Sequence, residues 1–195
     1  MKAYRYTGVI VTLLALAFGR GGSAQAGAPT DQLRGEIDQL YQSLQKPATS
    51  PSGNGASSEI LDRMFNWPQM AQTVMGRHWQ QRTAAERDEF TQLFAGIFRR
   101  AYVSRIHVVD ASKFQYLGDA IDGDRAMVKT KVSTKRGSTL DVDYAVRLAN
   151  GQRWRVDDVK VERVSLIDNY RDQFQAFLGR SSYEALTQKL RANAK

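Results

Sequence analysis

The sequence predicts an α+β fold in which helices stack on one face of a curved antiparallel sheet of about four strands. Three observations carry this. Apolar residues recur at helical spacing up to Asp110 and with a period of two beyond it. The period-two segments are joined by hairpin chemistry at Asp122-Gly123, Arg136-Gly137-Ser138 and Asn150-Gly151. Helical spacing then returns from Ser165 onward.

At the N-terminus Lys2 and Arg5 precede an apolar run from Val9 to Phe18, and Ala24-Gln25-Ala26 supplies the small-x-small pattern of a signal-peptidase site. The run is roughly ten residues, whereas a membrane-spanning helix takes about 20. Residues 1–26 therefore read as a cleavable signal peptide, and the periplasm as the destination. The sequence contains no cysteine, so neither a lipid tether nor a disulfide is expected, and stability must come from a core. Without Lys2, Arg5 and Arg20 the formal charge falls from +8 to +5, with 25 basic residues against 20 acidic. In an exported protein that charge meets anionic membrane surfaces rather than nucleic acid.

Residues 27–57 read as an N-terminal helix and a flexible linker, and 58–195 as the main domain. Leu33, Ile37, Leu40, Tyr41 and Leu44 make the helix Asp31–Lys46 amphipathic, with Asp31 as N-cap and Pro47 beyond its end. Residues 47–57 contain no large apolar side chain that would reward ordering. Ile60, Leu61, Met64 and Phe65 open a second helix from Ser58; a third starts at Asn66, with Pro68 in its first turn, and stops at Gly76. Thr83-Ala84-Ala85-Glu86 is a capping box. It opens a long helix whose stripe includes Phe90, Phe94, Phe98, Ala101, Tyr102 and Ile106. The strands follow: Phe114 and Tyr116; Ala126 to Val132; Leu140 to Leu148; and Trp154 to Val161, with a slip at Asp157-Asp158. Helices over Ser165–Leu178 and Ser182–Ala194 close the chain.

On the sheet's outer face Lys129, Lys131, Lys135, Arg147, Arg153 and Arg155 lie among Asp141 and Asp143. Cross-strand ion pairing explains them more economically than a basic binding strip. Catalytic candidates are few. His78 and His107 read as surface or helix-end residues, Asp122 and Asp124 as turn formers, and no metal-ligand spacing or nucleophile motif is present. Asp157 and Asp158 stand where a bulge would turn one carboxylate inward as a general base. No catalytic residue, metal or cofactor is assigned. Inward apolar residues are abundant, yet pattern alone favours a filled core over a cavity, because both require the same residues.

Specific stretches resemble a known family. Val74-Met75-Gly76-Arg77-His78-Trp79, Asp143-Tyr144, Trp154-Arg155-Val156-Asp157-Asp158-Val159 and above all Val164-Ser165-Leu166-Ile167-Asp168-Asn169-Tyr170-Arg171-Asp172-Gln173-Phe174 are similar to the MlaC family, also called Ttg2 or toluene-tolerance proteins. The resemblance runs from about Ile60 to Arg191. It implies a nuclear-transport-factor-2-like (NTF2-like) fold with an apolar cavity for acyl chains. It also implies a periplasmic phospholipid carrier, working as a monomer without catalysis. Such a carrier would pass lipid between an outer-membrane lipoprotein and porin complex and an inner-membrane ABC transporter with an MCE-type subunit, maintaining outer-membrane lipid asymmetry. An NTF2-like enzyme and a hopanoid-related binding protein acting on a hydrophobic small molecule remain the alternatives. The chain departs from the family at Glu162-Arg163-Val164, where glycine is usual, and near Gly179-Arg180-Ser181-Ser182.

With the resemblance, parity and stripe assign tail contacts to Val74, Phe94, Phe98, Val128, Val142, Tyr144, Val146, Leu166, Tyr170 and Phe174. Arg171, a cation beside an apolar stripe, is placed at the headgroup or cavity mouth, with a helix-surface ion pair as its other reading. Cleavage after Ala26 predicts that protein recovered from the periplasm starts at Gly27 on N-terminal sequencing; a retained Met1 would refute the signal reading.

Overall fold

The computed structural model describes residues 28–45, 53–106 and 109–193. The expected signal peptide, residues 47–52 of the expected linker and His107 lie outside the described residues. The elements are α1 (Pro29–Leu44), α2 (Gly53–Met64), α3 (Trp67–Met75), a 3₁₀ turn (Gly76–Gln81), α4 (Ala84–Ile106), β1 (Val109–Asp122), β2 (Arg125–Thr134), β3 (Thr139–Ala149), β4 (Arg153–Val161), β5 (Val164–Ser165), α5 (Leu166–Leu178) and α6 (Tyr183–Asn193). The strands form one antiparallel meander in the order β1-β2-β3-β4-β5, and the two residues of β5 are the addition to the expected four. No helix among the described residues is long and apolar enough to cross a membrane.

Helix ends follow their local chemistry. α1 begins at Pro29, whose ring presets the helical φ, so Asp31 sits in the first turn instead of capping it. α2 starts at Gly53, inside the stretch expected to be linker. The capping box forms as read: the Thr83 N–H donates to Glu86 Oε2 at 2.7 Å and the Glu86 N–H to Thr83 Oγ1 at 3.2 Å. These bonds hold the Glu86 carboxyl below its usual range. Ser165 caps α5 by accepting the Asp168 N–H at 2.9 Å.

The slip in β4 is a bulge. Ala145 pairs with Asp158 and Val146 with Val156, leaving Asp157 as the extra residue. Asn150 (φ 51°) and Gly151 (φ 68°) turn the β3–β4 hairpin in the left-handed region that those residues tolerate. Glu162 (φ 49°) and Arg163 (φ 68°) adopt the same conformation without either advantage, at roughly 1–2 kcal/mol per residue. The turn is held because the Glu162 N–H donates to the Asp141 carbonyl at 2.9 Å and the Asp141 N–H to Glu162 Oε1 at 2.7 Å. One edge of β4 is covered twice, by β5 at Lys160–Val161 and by a parallel bridge from Phe65 at Val156.

The core lies between the sheet's inner face and the helices. Phe90, Phe94 and Phe98 of α4 are fully buried, and the backbone of α4 runs closest to α3 and α6. α1 is pinned to the sheet by Gln32, whose amide bonds the Trp154 backbone in both directions at 2.6 and 2.9 Å. Beside it the buried Glu36 pairs with Arg153. Burial raises the Glu36 carboxyl's pKa, against the pull of Arg153. Cross-strand pairing holds on the outer face for Lys131 with Asp141 at 3.4 Å. Arg153 and Arg155 instead reach the helices, at Glu36 and the Asp62 carbonyl.

The strained turn predicts that Arg163→Gly stabilises the protein by about 1 kcal/mol, because glycine adopts this φ without a Cβ clash. A urea-unfolding midpoint that is unchanged or lowered would contradict it.

Candidate functional site

The inner faces of β1 to β4 and the C-terminal half of α4 enclose a cavity of about 410 Å³, with Tyr41 of α1, Val164 of β5 and Leu166 and Tyr170 of α5 completing its walls. Strand alternation supplies Val132, Leu140, Val142, Val159 and Val161; helical spacing supplies Phe98, Ala101, Tyr102 and Ile106. The space exists because side-chain size changes along α4. Phe90 and Phe94 pack against α5 in the core over its middle, and then Ala101, between the lining residues Phe98 and Tyr102, leaves room opposite the strand valines. The volume lies within the roughly 300–1,000 Å³ of small-molecule sites.

Polar groups in this cavity are sparse and sorted by position. Arg105, exposed near the end of α4, is the only charged side chain among the described lining residues. Val164, 59% exposed beside the strained Glu162-Arg163 turn, marks the same open end. Farther in, the hydroxyls of Tyr102 and Tyr144 lie 3.3 Å apart, long for an O–H···O bond. The hydroxyls of Tyr41, in the wall, and of nearby Tyr116 are buried with no hydrogen-bond partner. An unmet buried hydroxyl costs about 1–3 kcal/mol. Burial pushes Tyr102 up to about 12 and raises Tyr41, Tyr116 and Tyr144 as well. These phenols are therefore neutral hydrogen-bonding groups at physiological pH.

The described residues form two further concavities of similar size. A groove of about 500 Å³ between α4, α5 and α6 adjoins it, since Ala101 and Tyr170 line both. A polar cleft of about 460 Å³ holds Asp157 and Asp158. Asp157 accepts from Asn66 Nδ2 at 2.9 Å and Arg147 Nε at 2.8 Å. Asp158 accepts the Ile167 N–H at 3.1 Å at the start of α5, and burial raises its pKa. Neither acid lines the apolar cavity, so the inward general base considered from sequence is engaged in holding the bulge and the α5 N-terminus. His78 lies in the 3₁₀ turn, 3.5 Å from Arg77 Nε, away from the cavity.

Of the residues assigned to tail contact, Phe98, Val142, Tyr144, Leu166 and Tyr170 line the cavity, and Phe174 lines the adjoining groove. Val74, Phe94 and Val128 sit in the packed core with no exposure. Val146 borders the polar cleft. Arg171 pairs with Asp168 at 2.9 Å and Asp172 at 3.9 Å on its own helix and lines none of the three concavities. Sequence reasoning missed Tyr41, which comes from the helix set apart as an N-terminal appendage. It also missed Arg105, four residues after Ala101 on the same helical face; that spacing was the available signal.

The family model for MlaC protein matches residues 35–192. Among solved structures, the chain is similar to the phospholipid-binding protein from Ralstonia solanacearum, determined in complex with a phospholipid. The identity is 19%, covering 86% of this chain and 97% of that one, with a TM-score of 0.68. At this identity the likeness speaks for the fold. No curated protein matches the chain.

The raised phenols set an alkaline test. A tyrosine whose folded pKa lies above its unfolded value of 10 keeps its proton longer when folded. Its stabilising contribution is then lost as pH rises from about 10 to about 12. Stability should fall through that window, with part of the tyrosinate absorbance appearing only on unfolding. Ionisation of every tyrosine near pH 10 in the folded protein would refute the buried cluster.

Proposed function

The chain belongs to the MlaC family, and we propose that its cavity holds phospholipid acyl chains and that the protein carries lipid through the periplasm. In this reading residues 1–26 direct export, and the mature monomer exchanges lipid with an outer-membrane lipoprotein and porin complex and with an inner-membrane ABC transporter bearing an MCE-type subunit. The exchange serves outer-membrane lipid asymmetry. The observation that carries the proposal is the apolar cavity of about 410 Å³ between sheet and α4, open near Arg105 and Val164. The phospholipid seated in the Ralstonia protein of similar fold supports it.

The physics suits a carrier. Each methylene taken out of water is worth about 0.8 kcal/mol, so roughly ten of them hold a chain by about 8 kcal/mol against escape into solvent. A bilayer interior is equally apolar, so exchange with a membrane is near neutral and therefore reversible. The exposed Arg105 guanidinium is placed to meet a lipid phosphate at the open end. Arg171, the headgroup cation expected from sequence, pairs with two acids on α5 and does not line this cavity.

Native mass spectrometry of protein isolated from the periplasm is expected to show an added phospholipid mass. Ala101→Trp fills the cavity and should cut the loaded fraction severalfold while far-ultraviolet circular dichroism stays unchanged. A wild-type protein that is empty and takes no lipid from vesicles would overturn the proposal.

A further inference from the structure

We infer that the inner end of the cavity is a hydrogen-bonding subsite for a neutral oxygen on the bound chain, so that the protein favours a lipid bearing a mid-chain hydroxyl or keto group over an unsubstituted one. This rests on the acyl-chain reading of the cavity and adds what the chain carries.

A pocket built only for hydrocarbon has no use for phenols. Phenylalanine fills the same space, as Phe90 and Phe94 do in the packed part of the same interior and as Phe98 and Phe114 do in the lining itself. Here tyrosines from three elements, Tyr41 of α1, Tyr102 of α4 and Tyr144 of β3, line one cavity. Tyr116 of β1 is within electrostatic reach of all three. The bonding among them is incomplete: one long contact of 3.3 Å joins Tyr102 and Tyr144, and the Tyr41 and Tyr116 hydroxyls have no partner. Each hydroxyl can donate one hydrogen bond and accept others, which matches a hydroxyl or a ketone.

The same surroundings disfavour an anion. Among the described lining residues the only cation is Arg105, at the exposed end of the cavity. Arg34 lies over the face of the Tyr116 ring, 4.7 Å from its centroid, and is not part of the lining. Asp110 is within electrostatic reach of Tyr41. A carboxylate at this depth would be buried without a counter-charge. Position along the sheet sets where the oxygen belongs. Tyr144 is four residues along β3 from Leu140 near the open end, or about 13 Å at roughly 3.3 Å per residue, well past the ester linkages of a lipid whose headgroup stays outside.

The test loads delipidated mature protein from phosphatidylcholine vesicles containing equal amounts of stearoyl and mid-chain hydroxystearoyl species, and reads the bound ratio by native mass spectrometry. The ratio of hydroxylated to plain lipid should be about tenfold higher in wild type than in the variant Y41F/Y102F, the size of one hydrogen bond's discrimination. Equal ratios in the two proteins overturn the inference and leave phospholipid binding standing; they would mean that water satisfies the phenols. Failure of the wild type to take up either lipid overturns the acyl-chain reading itself, and this inference with it.

Discussion

Phe65 is the fixed point of this structure. It directly follows α2 and is fully buried. Its backbone bridges β4 at Val156, with the next residue's N–H donating to the Val156 carbonyl at 2.9 Å. Its ring meets Trp67 at 4.9 Å, Phe98 at 5.3 Å and Tyr102 at 5.2 Å. One residue thus ties the edge of the sheet to the helical layer and sets the depth at which α4 rides above the strands. The rings continue along α4 and onto α5 through Phe94, Tyr170 and Phe174. These edge-to-face and tilted contacts hold their geometry more strongly than aliphatic packing does.

A rigid spacer at one end is what permits space at the other. Protein interiors close voids where they can, and a helix free to sink would bury Ala101 against the strand valines. With α4 propped by Phe65 and its aromatic partners, and α1 clamped to β4 through Gln32 and Glu36, the cavity cannot collapse without breaking those anchors. The open end is built differently. There the polypeptide turns through Glu162 and Arg163 in a strained conformation and leaves Val164 in solvent. Firmness at the base and strain at the rim suit a pocket that keeps its shape while its entrance exchanges a ligand.

Chemistry at the site is separated in the same way. Among the described lining residues charge is confined to the exposed Arg105, whereas the polar groups of the inner wall are neutral hydroxyls that burial keeps protonated. The acids that invite a catalytic reading, Asp157 and Asp158, are committed to the β4 bulge and the α5 N-terminus in a different cleft. Among the described lining residues the proposed binding therefore relies on apolar contact and neutral hydrogen-bonding groups, with neither acid nor imidazole facing the contents.

The fold was largely legible in the sequence because its signals are local. The period change at Asp110, the Asn150-Gly151 turn, the Thr83–Glu86 capping box and the slip at Asp157 each depend on a few neighbouring residues whose backbone preferences are strong, and each reappears in the structure. Which inward side chains meet empty space was not legible. Val128 and Val142 have the same residue type and the same parity, yet one is sealed in the core and the other faces the cavity. Arg171 and Arg105 both flank apolar stripes, yet one is held by its own helix's acids and the other stands at the rim. Tyr41 joined the site from a helix the sequence sets apart. By itself the sequence determined which faces turn inward. Only the tertiary structure decided how far apart those faces stand, because that distance comes from aromatic contacts between residues dozens of positions apart, which no local pattern encodes.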